Sequence, residues 1–174
     1  VTIDKKTDVK VKIDNLSAFK DLANSLIDKY AVPTKATETF KSEPEKAEKF
    51  LVPTALEADG AKEAKVEATE NGYKVTITLV SETVDYKTAP KYNTQASLPL
   101  TGIAELAAQN NVTVKSSSFN YSGTVLTAEI DKDGNILSLN HTMPLKLSAK
   151  VRYGLMNIEG SGSGKYTLDA TFTY

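Results

Sequence analysis

The chain of 174 residues is 40% hydrophobic and 25% charged, the make-up of one globular domain rather than of a disordered segment. Its net charge is −1 and Arg152 is its only arginine, so nucleic acid is disfavoured and no anionic partner is implied. Without cysteine it can hold neither a disulfide nor a thiolate metal site or nucleophile, and it has no run of about 18 apolar residues, the length a membrane-spanning helix needs.

The chain begins at Val1 rather than Met, from which we expect an exported protein whose signal or lipid anchor lay upstream. Val9, Val11 and Ile13 alternate with Lys10, Lys12 and Asp14, the pattern of a half-buried strand. Asn15 then serves as an N-cap, and Leu16, Phe19, Leu22, Ala23, Leu26, Ile27 and Tyr30 follow on one helical face. Val32-Pro33-Thr34 ends this helix, because the residue before a proline is driven out of the α region. A second, shorter helix is predicted from Ser42 through Ala47 and Phe50, stopped in the same way by Val52-Pro53-Thr54. Residues 1–58 thus read as a helix-rich part of a single domain spanning 1–174.

From Ala61 onward the period changes to two. Ala64, Val66 and Ala68, then Tyr73, Val75, Ile77 and Leu79, alternate with polar residues around Asn71-Gly72, which predicts a hairpin with a tight turn suited to positive φ. Residues 87–99 read as polar and irregular, and a short helix is predicted near 102–109 through Ile103, Leu106 and Ala107. This helix interrupts a β-meander that runs from Ala61 to Tyr174 and continues with Val112 and Val114, a bulge at Ser116-Ser117-Ser118, a phase change onto Phe119, Tyr121 and Val125, and the turn at Asp133-Gly134. Leu137 to Met143 return. After Pro144, Leu145 to Tyr153 and then Tyr166 to Tyr174 alternate with polar residues. One face of such a sheet is wet and the other covered. The expected class is therefore α+β: a curved antiparallel sheet of six to eight strands, half-barrel-like, with two or three helices covering its apolar face.

Several segments resemble motifs that their contexts explain differently. Leu98-Pro99-Leu100-Thr101-Gly102 matches a sortase pentapeptide, but 72 further residues follow it with neither the hydrophobic span nor the basic tail of a sorting signal. Asp131-Lys132-Asp133-Gly134-Asn135 places its glycine fourth rather than sixth, so a hairpin turn fits better than a calcium loop. Glu159 to Lys165, with glycines at 160, 162 and 164, lacks the first glycine and the Ser/Thr of a phosphate loop, and reads as a flexible connection or bulged corner. His141, the only histidine, points by parity with Leu139 and Met143 to the covered face, where a core role outweighs a catalytic or metal-binding one. No cofactor is implied.

The covered face mixes small residues (Ala64, Ala68, Ala128, Ala149, Ala170) with tyrosines at 73, 153, 166 and 174. Small residues there either let a helix approach closely or leave room for a ligand. The order strand, helices, hairpin, short helix, then a meander with an apolar inner face resembles the open half-barrel of bacterial lipoprotein lipid carriers, both the mycobacterial lipid-binding lipoproteins and the lipoprotein-localisation carriers. The resemblance implies a cavity sheltering acyl chains, lined by Leu22, Leu26, Ile77, Leu139, His141, Leu147 and Phe172. The expected function is a non-enzymatic extracytoplasmic binding module at a bacterial cell surface or anchored by lipid, its partner a lipid or other apolar small molecule. The competing expectation is a structural or protein-interaction domain with a filled core, partnered by an envelope protein.

Overall fold

The computed structural model describes residues 2–13, 35–39, 55–96 and 103–173. Among them are nine strands: β1 Thr2–Ile13, β2 Lys35–Thr39, β3 Ala61–Thr69, β4 Gly72–Leu79, β5 Glu82–Val84, β6 Val112–Tyr121, β7 Val125–Asp131, β8 Ile136–Tyr153 and β9 Met156–Thr171. Two short helices, α1 Lys91–Ala96 and α2 Ile103–Gln109, interrupt them. All strand pairs are antiparallel, and the path across the open sheet runs β2-β1-β9-β8-β7-β4-β3, with β6 against β8 and β5 against β6. The described fold is mainly β.

The 18-residue β8 is the spine of this sheet. One side pairs with β9 from Ser138↔Thr171 to Tyr153↔Met156. The other side is shared, β7 covering Ile136 to Thr142 and β6 covering Leu145 to Tyr153. Pro144 falls at the handover, where neither β6 nor β7 supplies a residue in register. A residue lacking an N–H is tolerated where the ladder is already interrupted, so β8 runs through Pro144 without a break. Residues 137 to 151 at odd positions keep to one face, and that unbroken period of two makes a single long strand of what the proline divides in sequence.

The covered face holds the core. Phe119, Tyr121, Met143, Leu145, Tyr166, Leu168 and Ala170 are buried together, with Val84, Tyr86, Leu139, Leu147 and Phe172 packed against them. A second cluster joins Leu79, Ala96 and Leu126 with Leu56 and Ile77. Ala96 belongs to α1, so this helix covers the β4–β7 part of the sheet. Its position is set by polar contacts: the Glu82 carboxylate accepts the backbone N–H groups of Tyr92 and Asn93 at 3.0 and 2.8 Å and the Asn93 Nδ2 at 2.7 Å, while the buried Thr124 hydroxyl donates to Asn93 Oδ1 at 2.8 Å. These bonds satisfy orphan donors at the start of α1 that the first turn of a helix cannot satisfy itself.

Several sequence expectations need correction. The described parts of residues 1–58 include two strands, and β1 begins well before Val9. The helices expected over 15–30 and 42–50, both Val-Pro-Thr stops, the pentapeptide at 98–102 and Tyr174 lie outside the described residues. Nine strands exceed the expected six to eight, since the short β2 and β5 carry too little periodicity to be read. The stretch expected to be irregular contains α1, whose six residues have no apolar stripe to announce them but are held by Glu82. In the first hairpin Thr69 pairs with Gly72, so Glu70 and Asn71 form the loop, and neither has a positive φ. The bulge in β6 falls between Val114 and Ser116, one residue before the serine run. At the second turn Gly134 has φ 90 as the turn reading requires, and Asp131 Oδ1 accepts the N–H groups of Asp133 and Asn135.

The largest correction concerns Gly160-Ser161-Gly162-Ser163-Gly164. It is no loop but the middle of β9, in register with Ala149 to Leu145 of β8 on one side and with Ile13 to Val9 of β1 on the other. Glycine and serine lower strand propensity, but two neighbouring strands supply a full set of backbone hydrogen bonds, and tertiary context overrides the propensity.

Candidate functional site

The covered face of β8 and β9 is where the expected site residues can be placed. Leu139, Leu147 and Phe172 pack against the main cluster, Ile77 against the smaller one, and His141 is buried in register with Leu126 on one side and Leu168 on the other. Leu22 and Leu26 lie outside the described residues. Ile77 is thus separated from Leu139 by the Leu126 strand, and the five described residues share one face rather than one contiguous lining.

Two polar groups interrupt this apolar face. His141 is 8% exposed and forms no hydrogen bond with another described residue; burial, which disfavours the charged ring, pushes its pKa below the ordinary value. Tyr166 is likewise 8% exposed, and its hydroxyl is buried with no hydrogen-bond partner among the described residues. Burial pushes that phenol up, so both groups are neutral near pH 7. Tyr166 pairs with Met143 and His141 with Leu168, which puts the tyrosine and the histidine diagonally across two neighbouring strands. Such neighbours stand roughly 7–8 Å apart, within reach of long side chains. Sequence parity assigns Tyr166 to this face, but nothing in the pattern distinguishes a satisfied hydroxyl from an orphaned one.

Beyond Tyr166 the same face loses its side chains. Gly164, Gly162 and Gly160 stand opposite Leu145, Leu147 and Ala149, so β9 presents bare backbone over three successive positions of the covered face. Leu145 and Leu147 are flanked on their other side by Tyr121 and Phe119. The arrangement is an apolar strip bounded by aromatic and aliphatic residues, with a row of glycines along it and a neutral donor at one end.

At the Gly160 end of this row a depression of about 360 Å³ crosses β6, β8 and β9, lined by Ala149 and Gly160 together with serines at 116, 117, 118, 148 and 161. It is open rather than enclosed, and the Lys150–Glu159 ion pair at 2.8 Å closes on itself at its edge. Among the described residues no three His, Asp or Glu side chains gather as a metal would need, and no helix is long and apolar enough to cross a membrane.

Fold and site together define a class, an open, mainly-β antiparallel sheet with one buried apolar face that carries a few neutral polar groups. No protein-family model, curated protein or solved structure matches the chain.

Proposed function

We propose that the protein is a non-enzymatic binding module that shelters a lipid acyl chain or another apolar molecule against the covered face of its sheet, at or outside the surface of a bacterial cell. In this reading the sheet curves as a half-barrel under helices, as in the lipoprotein carriers that its element order resembles. The observation that carries the proposal is the Tyr166 hydroxyl, buried without a partner among the described residues at the head of the glycine row. A buried donor left unsatisfied is costly, and a ligand that supplies an acceptor relieves that cost. The neutral state of Tyr166 and His141 favours an uncharged carbonyl or hydroxyl, as in an acyl ester or a fatty acid bound in its protonated form, over a phosphate, whose charge would be desolvated there.

Native mass spectrometry of the protein purified from its own host tests the proposal, with an added mass of acyl-lipid size as the expected result. Titration of palmitic acid against the fluorescence of bound 1-anilinonaphthalene-8-sulfonate is the complementary measurement. Tyr166→Phe is expected to weaken palmitate by roughly two- to tenfold, the range of one hydrogen bond. Bare polypeptide in the first experiment together with no displacement in the second would sink the proposal. The second reading, a packed protein-interaction domain, is favoured by the Phe119, Tyr121, Met143 and Leu145 cluster, which fills part of the same face with side chains.

A further inference from the structure

The β8–β9 hairpin ends in Tyr153-Gly154-Leu155-Met156, with Tyr153 and Met156 paired and Gly154 and Leu155 as a two-residue loop. Gly154 has φ 59, the conformation that the first loop position of a type II′ turn demands and that an L side chain resists. The turn leaves Leu155 90% exposed, with Met156 at 43% and Tyr153 at 38% beside it. No other large apolar residue is as exposed among the described residues.

Among the described residues, charge at this end has one sign. Arg152, the only arginine of the chain, directs its Nε to the Gly154 carbonyl at 2.9 Å, which holds its guanidinium against the turn. Its register partners are Asn157 and Thr113, the next rung joins Val151 to Ile158 and Val114, and the first carboxylate down the hairpin, Glu159, is already paired with Lys150. On the neighbouring α2 the acidic residue Glu105 lies in the first turn, away from the α2–β6 connection that approaches Tyr153.

We infer that this hairpin tip inserts into the interface of an anionic lipid bilayer, Leu155 and Met156 entering the acyl boundary while Tyr153 and Arg152 stay at headgroup level. The size of the patch decides between lipid and protein. Three side chains at these exposures offer on the order of 300 Å², whereas a specific protein interface needs about 800 Å² from each partner. A bilayer requires no matching surface; an apolar wedge with an amphipathic aromatic residue and a cation at its rim is enough. The inference stands apart from the acyl-chain reading, since it uses no residue of the covered site.

The chain contains no tryptophan, so Leu155→Trp places a single reporter at the tip. With vesicles of phosphatidylcholine mixed with phosphatidylglycerol, its emission should shift to the blue and be quenched by bromine-labelled acyl chains. In sedimentation with the same vesicles, Leu155→Asp should reduce binding at least about tenfold, and Arg152→Gln about fivefold, with the Arg152→Gln variant no longer distinguishing these vesicles from pure phosphatidylcholine. Both variants should keep the wild-type unfolding midpoint and the wild-type response to palmitate in solution, so a failure at the tip is separable from a failure of the covered site. Emission of the tryptophan variant unchanged by vesicles, or Leu155→Asp sedimenting as the wild type does, would overturn the inference and leave the tip to a protein partner.

Discussion

A phenol buried in an apolar sheet face stabilises through its ring and destabilises through its hydroxyl when the hydroxyl has nothing to bond. Tyr166 is in that position, so Tyr166→Phe should raise the stability of the ligand-free protein by about 1 kcal/mol in urea denaturation, while weakening palmitate. A purely structural tyrosine would not move the two readouts in opposite directions. His141 makes a prediction in pH. Its folded pKa lies below the unfolded value of 6.5, so the unfolded state binds the proton first as pH falls. The stability associated with the neutral ring is complete above about pH 7 and is lost as pH falls below 6.5 towards the folded pKa. Because His141 is the only histidine, the thermal midpoint of the wild type should decline from pH 7 to pH 5.5, and His141→Gln should flatten that slope. At Gly72 the constraint is space: a Cβ there would lie 2.0 Å from the Ile130 carbonyl oxygen, a backbone atom that cannot swing aside. Gly72→Ala should therefore cost about 1–3 kcal/mol, read as a lower urea midpoint.

At the scale of elements, α1 shows how a helix too short to be stable alone is held in place. Six residues lie below the length at which isolated helices persist, so its existence depends on partners outside it. Glu82 supplies both carboxylate oxygens to the α1 terminus, and Asn93 passes the contact on to Thr124. Glu82→Gln keeps one acceptor and turns a donor towards the remaining N–H groups. We expect a loss of about 1–3 kcal/mol, accompanied by faster amide exchange in residues 91–96 and little change in β8. The α2 helix, by contrast, follows from its own apolar spacing and lies where the sequence puts it. The two long strands divide in the same way. Along β8 the alternation is strong enough to carry the chain across Pro144, whereas the centre of β9 is a strand because β1 and β8 flank it, not because glycine and serine favour one.

For the whole molecule, both proposed surfaces follow from one construction, a sheet wide enough to have a covered face and a central hairpin long enough to reach one end of it. The β8–β9 hairpin was not legible, since its glycine-rich strand reads as a loop, and Ala64, Ala68, Tyr73 and Tyr153, read as covered, stand exposed. The pairing of β3 with β4, the turn at Asp133-Gly134 and the inward side of Phe119, Tyr121, Met143, Leu145 and Leu168 were legible. They depend on a period of two, which is local and written in consecutive residues. The covered face could thus be named from Leu139, His141, Leu147 and Phe172, though not the way it is divided between two clusters.

Sequence alone therefore determined the antiparallel sheet and which residues share a face of each strand it marks, because side-chain direction in a strand depends on parity and on nothing distant, whereas burial of that face does not. Only the tertiary structure decided that Tyr166 has no partner among the described residues, that the glycine row is a strand core, that Glu82 holds α1, and that Tyr73 and Tyr153 stand exposed, as does Leu155 beside Arg152. Each of these depends on which segments meet across long stretches of chain, and a hydrogen bond made or missed at such a meeting leaves no mark on the local pattern.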